Sequence, residues 1–270
     1  MKIFDCFTYF DEDHLAELRL NILKDVVDYF VVCESKETHR AKNKKLNFPI
    51  EKFKDIRQKI IYLTFDNFPK FNSTWKRQDY QRNYLVNGLD NANEEDLILF
   101  SDADEIPNPK ILQDYKNEYK YKDKIGVFIQ KFFYYKLNLS VPTYSEWEGT
   151  RACKKKNLKS FSWLREEIKI KNLNYGFWRL DKYKKILKIN NGGWHFSFLG
   201  NANFIASKIK SYVHDEYDKE EYTNLEKINL RIKNLIDPFD RKKTLIKIPI
   251  DSSFPEYIQK NKDKYKDLII

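Results

Sequence analysis

The stretch Leu97-Ile98-Leu99-Phe100-Ser101-Asp102-Ala103-Asp104-Glu105-Ile106-Pro107 decides how the chain is read. A four-residue apolar run leads straight into three carboxylates, Asp102, Asp104 and Glu105. A short continuous apolar run bounded by turn formers suits a strand buried on both faces, as in a parallel sheet. In open α/β sheets ligands bind beyond the carboxyl ends of strands, which is where this acidic segment falls. Residues i and i+2 of extended backbone point the same way, so Asp102 and Asp104 can face one point. Converging carboxylates repel each other unless a cation or a proton sits between them. Hard oxygen donors with open coordination positions suit Mg2+ or Mn2+, with substrate phosphate oxygens completing the shell. The competing reading is a plain turn, because Asp and Pro are common turn formers.

Working outward from this segment, the first hundred residues alternate strand-like and helix-like periods. Lys2 to Thr8 is apolar and β-prone; Asp11 or Asp13 can cap a helix with Leu15, Leu18, Ile22 and Leu23 on one face. Val26 to Cys33 and Lys59 to Phe65 repeat the buried-strand signal. Ser73 or Thr74 can cap a second helix that carries Tyr80, Tyr84 and Leu85 and ends near Gly88. Strands separated by helical patterns predict an α/β fold with a central, mostly parallel sheet flanked by helices. Gly126 to Tyr135 reads as a longer strand, and the spacing is helical from Ala202 to about Leu235, through Ile205, Ile209, Tyr212, Leu225, Ile228 and Ile232. No internal repeat or flexible linker marks a boundary, so residues 1–270 read as a single domain.

Composition bounds the function classes. The chain has 270 residues, 41% hydrophobic and 16% aromatic, enough for a sizeable core and too much for a disordered chain. Seven glycines and eight prolines exclude collagen-like and low-complexity classes. Three cysteines without CxxC spacing argue against a disulfide scaffold or a zinc site. The N-terminus shows no apolar segment with a cleavage site, and no apolar run approaches the ~18 residues a spanning helix needs. The expectation is a soluble, cytoplasmic protein, with any membrane association peripheral. The formal charge of +10 is concentrated between Arg151 and Lys188. Such a run reads first as a solvated face and second as attraction for an anionic substrate or membrane surface.

Other residues with chemistry to offer are scattered. None of the four histidines sits at metal-ligand spacing with another. His195 follows a glycine pair in Gly192-Gly193-Trp194-His195-Phe196-Ser197, which reads as a buried His beneath a turn or as a third metal ligand from late in the chain. His214-Asp215-Glu216 falls on the predicted late helix, where charges are usually solvated, although a carboxylate there can serve as a general base. Trp147, Trp163, Trp178 and Trp194 suit either core packing or stacking on sugar faces. GxGxxG, GxxxxGK[ST] and GxSxG are absent, so a metal with Arg or Lys would have to handle phosphate.

Several segments together resemble glycosyltransferase family 17, the family of the enzyme that adds bisecting GlcNAc. They begin with Lys2-Ile3-Phe4-Asp5-Cys6-Phe7-Thr8-Tyr9-Phe10, Glu17-Leu18-Arg19-Leu20 and Val27-Asp28-Tyr29-Phe30-Val31-Val32-Cys33-Glu34-Ser35. Gln81-Arg82-Asn83, Ser101 to Pro107, Gly193 to Gly200, Lys208-Ile209 and His214-Asp215-Glu216-Tyr217 continue the likeness along nearly the whole chain. The resemblance implies a GT-A-like fold with a nucleotide-sugar-binding half over 1–110, an acceptor-side half over 111–235 and a tail over 236–270. It also implies a metal-dependent, inverting transfer of a sugar, foremost GlcNAc from UDP-GlcNAc, to a glycan hydroxyl in glycan biosynthesis, with Mn2+ or Mg2+ as cofactor. By position, Asp102 and Asp104 match the DxD metal site and His195 is a further candidate ligand. Glu34, Arg82 and Asp102 fall on the donor side. Glu216, then Asp215, are candidate bases, with Glu146 and Glu148 as alternatives. The animal members' membrane anchor and stem have no counterpart, which points to a microbial or viral surface glycan as acceptor.

Two other classes compete. A haloacid-dehalogenase-type phosphatase also places DxD after an apolar strand, but near the N-terminus. A basic module binding nucleic acid or another anionic polymer would use Arg151 to Lys188, and leaves the Asp102 and Asp104 pair unexplained. The resemblance implies no nucleic-acid partner.

Overall fold

The computed structural model describes residues 1–118, 123–144, 146–211, 215–241 and 244–270, without the side chains of Tyr144 and Asp215. The chain forms two compact units, one of Met1–Gln130 with Glu148–Gly193, the other of Lys131–Trp147 with Trp194–Ile270.

The elements of the N-terminal half follow the expected alternation: β1 (Ile3–Thr8), α1 (Asp13–Leu23), β2 (Tyr29–Ser35), β3 (Ile60–Phe65), α2 (Thr74–Tyr84), β4 (Leu97–Phe100), β5 (Glu105–Pro107) and α3 (Pro109–Asn117). After them come β6 (Ile125–Tyr134), β7 (Leu139–Ser140), β8 (Trp147–Lys154), α4 (Phe161–Glu166) and β9 (Ile186–Ser197). The C-terminal part holds α5 (Ala202–Ser211), α6 (Glu220–Thr223), α7 (Leu225–Lys233), β10 (Ile246–Lys247) and α8 (Glu256–Lys260). No helix among the described residues is long and apolar enough to cross a membrane.

In the first unit the strand order is β6-β8-β4-β1-β2-β3. The block β4-β1-β2-β3 is parallel, and β8 adds to β4 antiparallel. Phe4, Val31 and Ile98 are fully buried, the pattern of strands covered on both faces. Leu85, Leu89, Phe161 and Leu164 join the same core. Because the four strands run in one direction, Thr8, Ser35, Phe65 and Phe100 share the carboxyl edge. An open pocket of about 370 Å3 lies there at the ends of β2 and β3, lined by Lys36, Asn43, Lys44, Asp66 and Asn67.

The second unit has its own core. Phe132, Tyr135 and Leu139 pack with Ile205 and Ile209 of α5, Ile228 and Ile232 of α7, and Phe239. The short strands β7 and β10 pair antiparallel.

Three expectations need correction. The glycine pair is not a turn: Gly192 and Gly193 lie inside the strand β9. Gly193 has φ +142°, and a Cβ there would come within 2.1 Å of the Ile106 carbonyl oxygen. Glycine is required because β9 runs close against β5, where Asn108 N donates to Gly192 O at 2.8 Å. The late helical stretch is not continuous either. Asp215 and Glu216 sit in a 3-10 turn, Asp215–Tyr217, between α5 and α6; Tyr212 and His214 lie outside the described residues. Finally, the basic run is not solvated throughout. Arg151 and Lys154 are buried, and Lys154 Nζ pairs with Glu95 at 2.6 Å.

Candidate functional site

Behind β4, the segment Ser101 to Glu105 closes into a tight turn, with Glu105 N donating to Asp102 O at 3.0 Å. Arginines from three helices hold it. Arg19 of α1, fully buried, donates from one terminal nitrogen to Asp102 O (3.1 Å) and Glu105 O (2.9 Å), and from the other to Ser101 Oγ (2.7 Å). Its remaining donors form a two-point pair with Asp5 of β1 at 2.6 and 2.7 Å.

Arg165 of α4 grips Glu105 at both carboxylate oxygens (2.7 and 2.9 Å) and reaches Asp102 Oδ2 at 3.1 Å. Burial opposes its charge, yet Glu105 and Asp102 beside it outweigh that and hold the guanidinium above its ordinary pKa. Arg82 of α2 meets Asp102 Oδ1 at 3.4 Å and Glu166 at 2.9 Å. Its Nε, buried, finds no acceptor among the described residues. Arg151 of β8 lies near this group and ties to the Glu148 and Gly149 carbonyls; burial first, then the neighbouring Arg165, pushes its pKa down to about 10.

The Gln81-Arg82-Asn83 segment now has a physical meaning, since each residue serves a different neighbour. Gln81 Nε2 donates to Cys33 O at the end of β2 (3.0 Å), so its Oε1 is left to accept from His39 Nε2 at 2.8 Å. Arg82 faces the acidic turn, and Asn83 Oδ1 accepts from Ser162 N at the start of α4 (2.9 Å). Burial pushes the pKa of His39 down to about 4.

The other candidates fall as follows. The side chain of Asp102 is one-third exposed, while Asp104 is buried at 8%. Glu34, expected on the donor side, is fully buried and anchors the loop after β2. It accepts from Asn47 N and Phe48 N (both 3.0 Å) and from Tyr62 OH (2.6 Å), and it pairs with Lys44. Donor binding by Glu34 would have to break these contacts. His195, in the second unit, is buried between rings, 4.3 Å from Phe132 and 4.7 Å from Trp147. Among the described residues no group of three or more His, Cys, Asp or Glu side chains is placed to hold a metal. Glu216 and Glu146 are exposed in the second unit, and Glu148 is engaged by Arg151 and Ile170 N. Trp194 donates to Ser253 O at 3.0 Å and Trp163 packs on Tyr183, whereas Trp178 is 70% exposed. Arg19 and Arg165, which the sequence reading did not single out as site residues, do most of the positioning.

Fold and site define a class: an α/β enzyme whose charged site sits at the carboxyl edge of a parallel strand block. The chain belongs to glycosyltransferase family 17, whose model matches residues 1–269. It is 38% identical over 106 residues to the human protein named beta-1,4-mannosyl-glycoprotein 4-beta-N-acetylglucosaminyltransferase, and 37% identical over 106 residues to the mouse protein of that name. Each match takes in 36% of this chain and 20% of the relative, so the chain aligns with about a fifth of the length of the curated relatives it matches. Among solved structures, S. aureus TarS aligns at TM-score 0.42 and 14% identity, over 90% of this chain and 44% of that one. A 4-diphosphocytidyl-2C-methyl-D-erythritol synthase from Anaerococcus prevotii aligns at TM-score 0.37 and 12% identity, over 70% and 86%.

Proposed function

We propose that the chain is a divalent-metal-dependent, inverting glycosyltransferase that moves GlcNAc from UDP-GlcNAc to a glycan hydroxyl. The observation that carries this reading is the Asp102 to Glu105 turn, held at the end of β4 by Arg19, Arg82 and Arg165. Membership of a glycosyltransferase family supports it.

The donor set fits a hard cation. Two carboxylates, one of them part-exposed, suffice for Mg2+ or Mn2+, which take most of their coordination from water and substrate phosphate. The reading asks for Asp102 and Asp104 alone as protein ligands. The orphaned, buried Nε–H of Arg82 also favours an oxygen-rich anion beside this turn, because a buried donor without an acceptor is costly. A cation bound here would offset the negative charge that gathers on the diphosphate as the sugar departs.

The remaining steps belong to the chain's own side chains. Arg19 and Arg165 fix the turn, and a cation at Asp102 would share or displace the contacts that its two carboxylate oxygens make with Arg82 and Arg165. Arg82, shared between Asp102 and Glu166, is a positive group that can pass to a phosphate oxygen. Inversion by single displacement needs a base to take the acceptor proton. Glu216, exposed and within the His214-Asp215-Glu216-Tyr217 segment that resembles the family, is the first candidate, and Asp215 is the second.

The test is a screen of sugar nucleotides with and without Mn2+. The expected result is a raised melting temperature and slow metal-dependent hydrolysis with UDP-GlcNAc, and loss of both in Asp104→Ala. No response to any nucleotide diphosphate would overturn the proposal.

A further inference from the structure

The strongest surface anomaly lies far along the chain from the acidic turn, in the loop that follows α4. Phe177, Trp178 and Leu180 are 85%, 70% and 92% exposed, three bulky apolar side chains within four residues, with Leu173 and Tyr175 exposed beside them. Contiguous exposed apolar residues mark an interaction surface, unlike scattered single ones.

The loop is a built structure. Arg179 N donates to Gly176 O at 3.1 Å, Lys182 N to Arg179 O at 3.1 Å, and the Lys184 ammonium to Gly176 O. The Arg179 guanidinium forms a two-point pair with Asp181 (both 2.7 Å) and lies 5.2 Å from the centre of the Tyr175 ring. Phe177 and Trp178 meet edge to face at 5.4 Å. The backbone is thus fixed in a shape that directs its apolar side chains into solvent. Seven cations lie between residues 169 and 188 against one acid, Asp181, which Arg179 and Lys182 already neutralise.

We infer that this loop is a membrane-docking surface and that its partner is an anionic lipid bilayer. Trp, Phe and Leu suit the boundary between headgroups and acyl chains, while Lys and Arg stay at the level of the anionic headgroups. Charge complementarity favours this occupant over the alternatives. A second copy of the chain would bring the same cationic rim against itself in a two-fold contact. A neutral sugar would leave the cationic rim without an opposite charge to meet it. The inference is independent of the sugar-transfer reading, because it uses none of the residues around Asp102.

The test is co-sedimentation of the full chain with vesicles of phosphatidylcholine alone and with 30% phosphatidylglycerol, with self-association followed by sedimentation velocity. Binding is expected to the anionic vesicles only, to fall with added salt, and to weaken about tenfold or more in Phe177→Ser/Trp178→Ser/Leu180→Ser. Lys171→Gln/Lys185→Gln should weaken it by about tenfold without touching the apolar side chains. The vesicle-induced blue shift of tryptophan emission should shrink in Trp178→Phe, a conservative change at an exposed site that leaves folding intact. The inference is overturned by no binding to the anionic vesicles, by equal binding of the triple variant, or by self-association that the triple variant abolishes in the absence of lipid binding.

Discussion

Arg19 shows how much one side chain can organise. A guanidinium has five N–H donors, and Arg19 places all five: two on Asp5, one on Ser101 Oγ, and one on each carbonyl of Asp102 and Glu105. Both members of the Asp5 pair are fully buried, so removing one strands the other as an unpaired charge. Arg19→Leu is expected to destabilise the protein by about 3–5 kcal/mol, read from the urea midpoint. Arg19→Lys keeps the charge but cannot reproduce the fork, and should recover only part of this. His39 provides a second test at this scale. Its folded pKa of about 4 lies below the ~6.5 of an unfolded chain, so between these values the unfolded state binds more protons. Stability contributed by His39 is therefore present near pH 7 and lost as pH falls from about 6.5 to 4. Because part of the residue still reaches solvent, the loss is about 2 kcal/mol. His39→Gln, which keeps a donor for Gln81, should flatten the stability curve across that window.

At the scale of elements, the contact of β9 with β5 rests on the absence of a side chain. Gly193→Ala would place a methyl group against the Ile106 carbonyl oxygen in a backbone conformation that L residues avoid. Since the obstacle is backbone, the strands must move apart, and a loss of about 2–4 kcal/mol in denaturant unfolding is expected. The same pair explains where sequence reading stops. Glycines usually punctuate, so Gly192-Gly193 reads as a turn until a partner strand more than 80 positions away is known to press against it. β1 to β4, by contrast, are legible, because strands buried on both faces carry near-continuous apolar runs. The late helix is legible in its apolar spacing but not in its interruption, because α5 and α7 put their apolar faces into one core and the turn between them adds no periodic signal. In the site, Asp102 and Asp104 stand together in sequence and can be read there. Arg19 and Arg165 reach the turn from 83 and 60 residues away, and a buried arginine has no local pattern to announce it.

At the scale of the whole molecule, one hydrophobic cluster lies within each unit. The cluster built on Phe4, Val31, Ile98 and Phe100 shares no residue with the one built on Phe132, Ile205, Ile228 and Phe239. Hydrophobic stabilisation acts through apolar area removed from water and through close packing at each contact, so a cavity is felt first by the side chains that line it. Ile205 is fully buried in the second cluster, and truncation to alanine should cost about 2–5 kcal/mol. Hydrogen exchange resolves local from global opening and gives this expectation a location. Ile205→Ala should speed exchange at the amides of α5 and α7, and leave β1 and β4 at their original protection. If instead β1 and β4 lost protection in step with α5, the two cores would have to open as one cooperative body, and the Asp102 turn would then depend for its stability on side chains that contribute nothing to its own core.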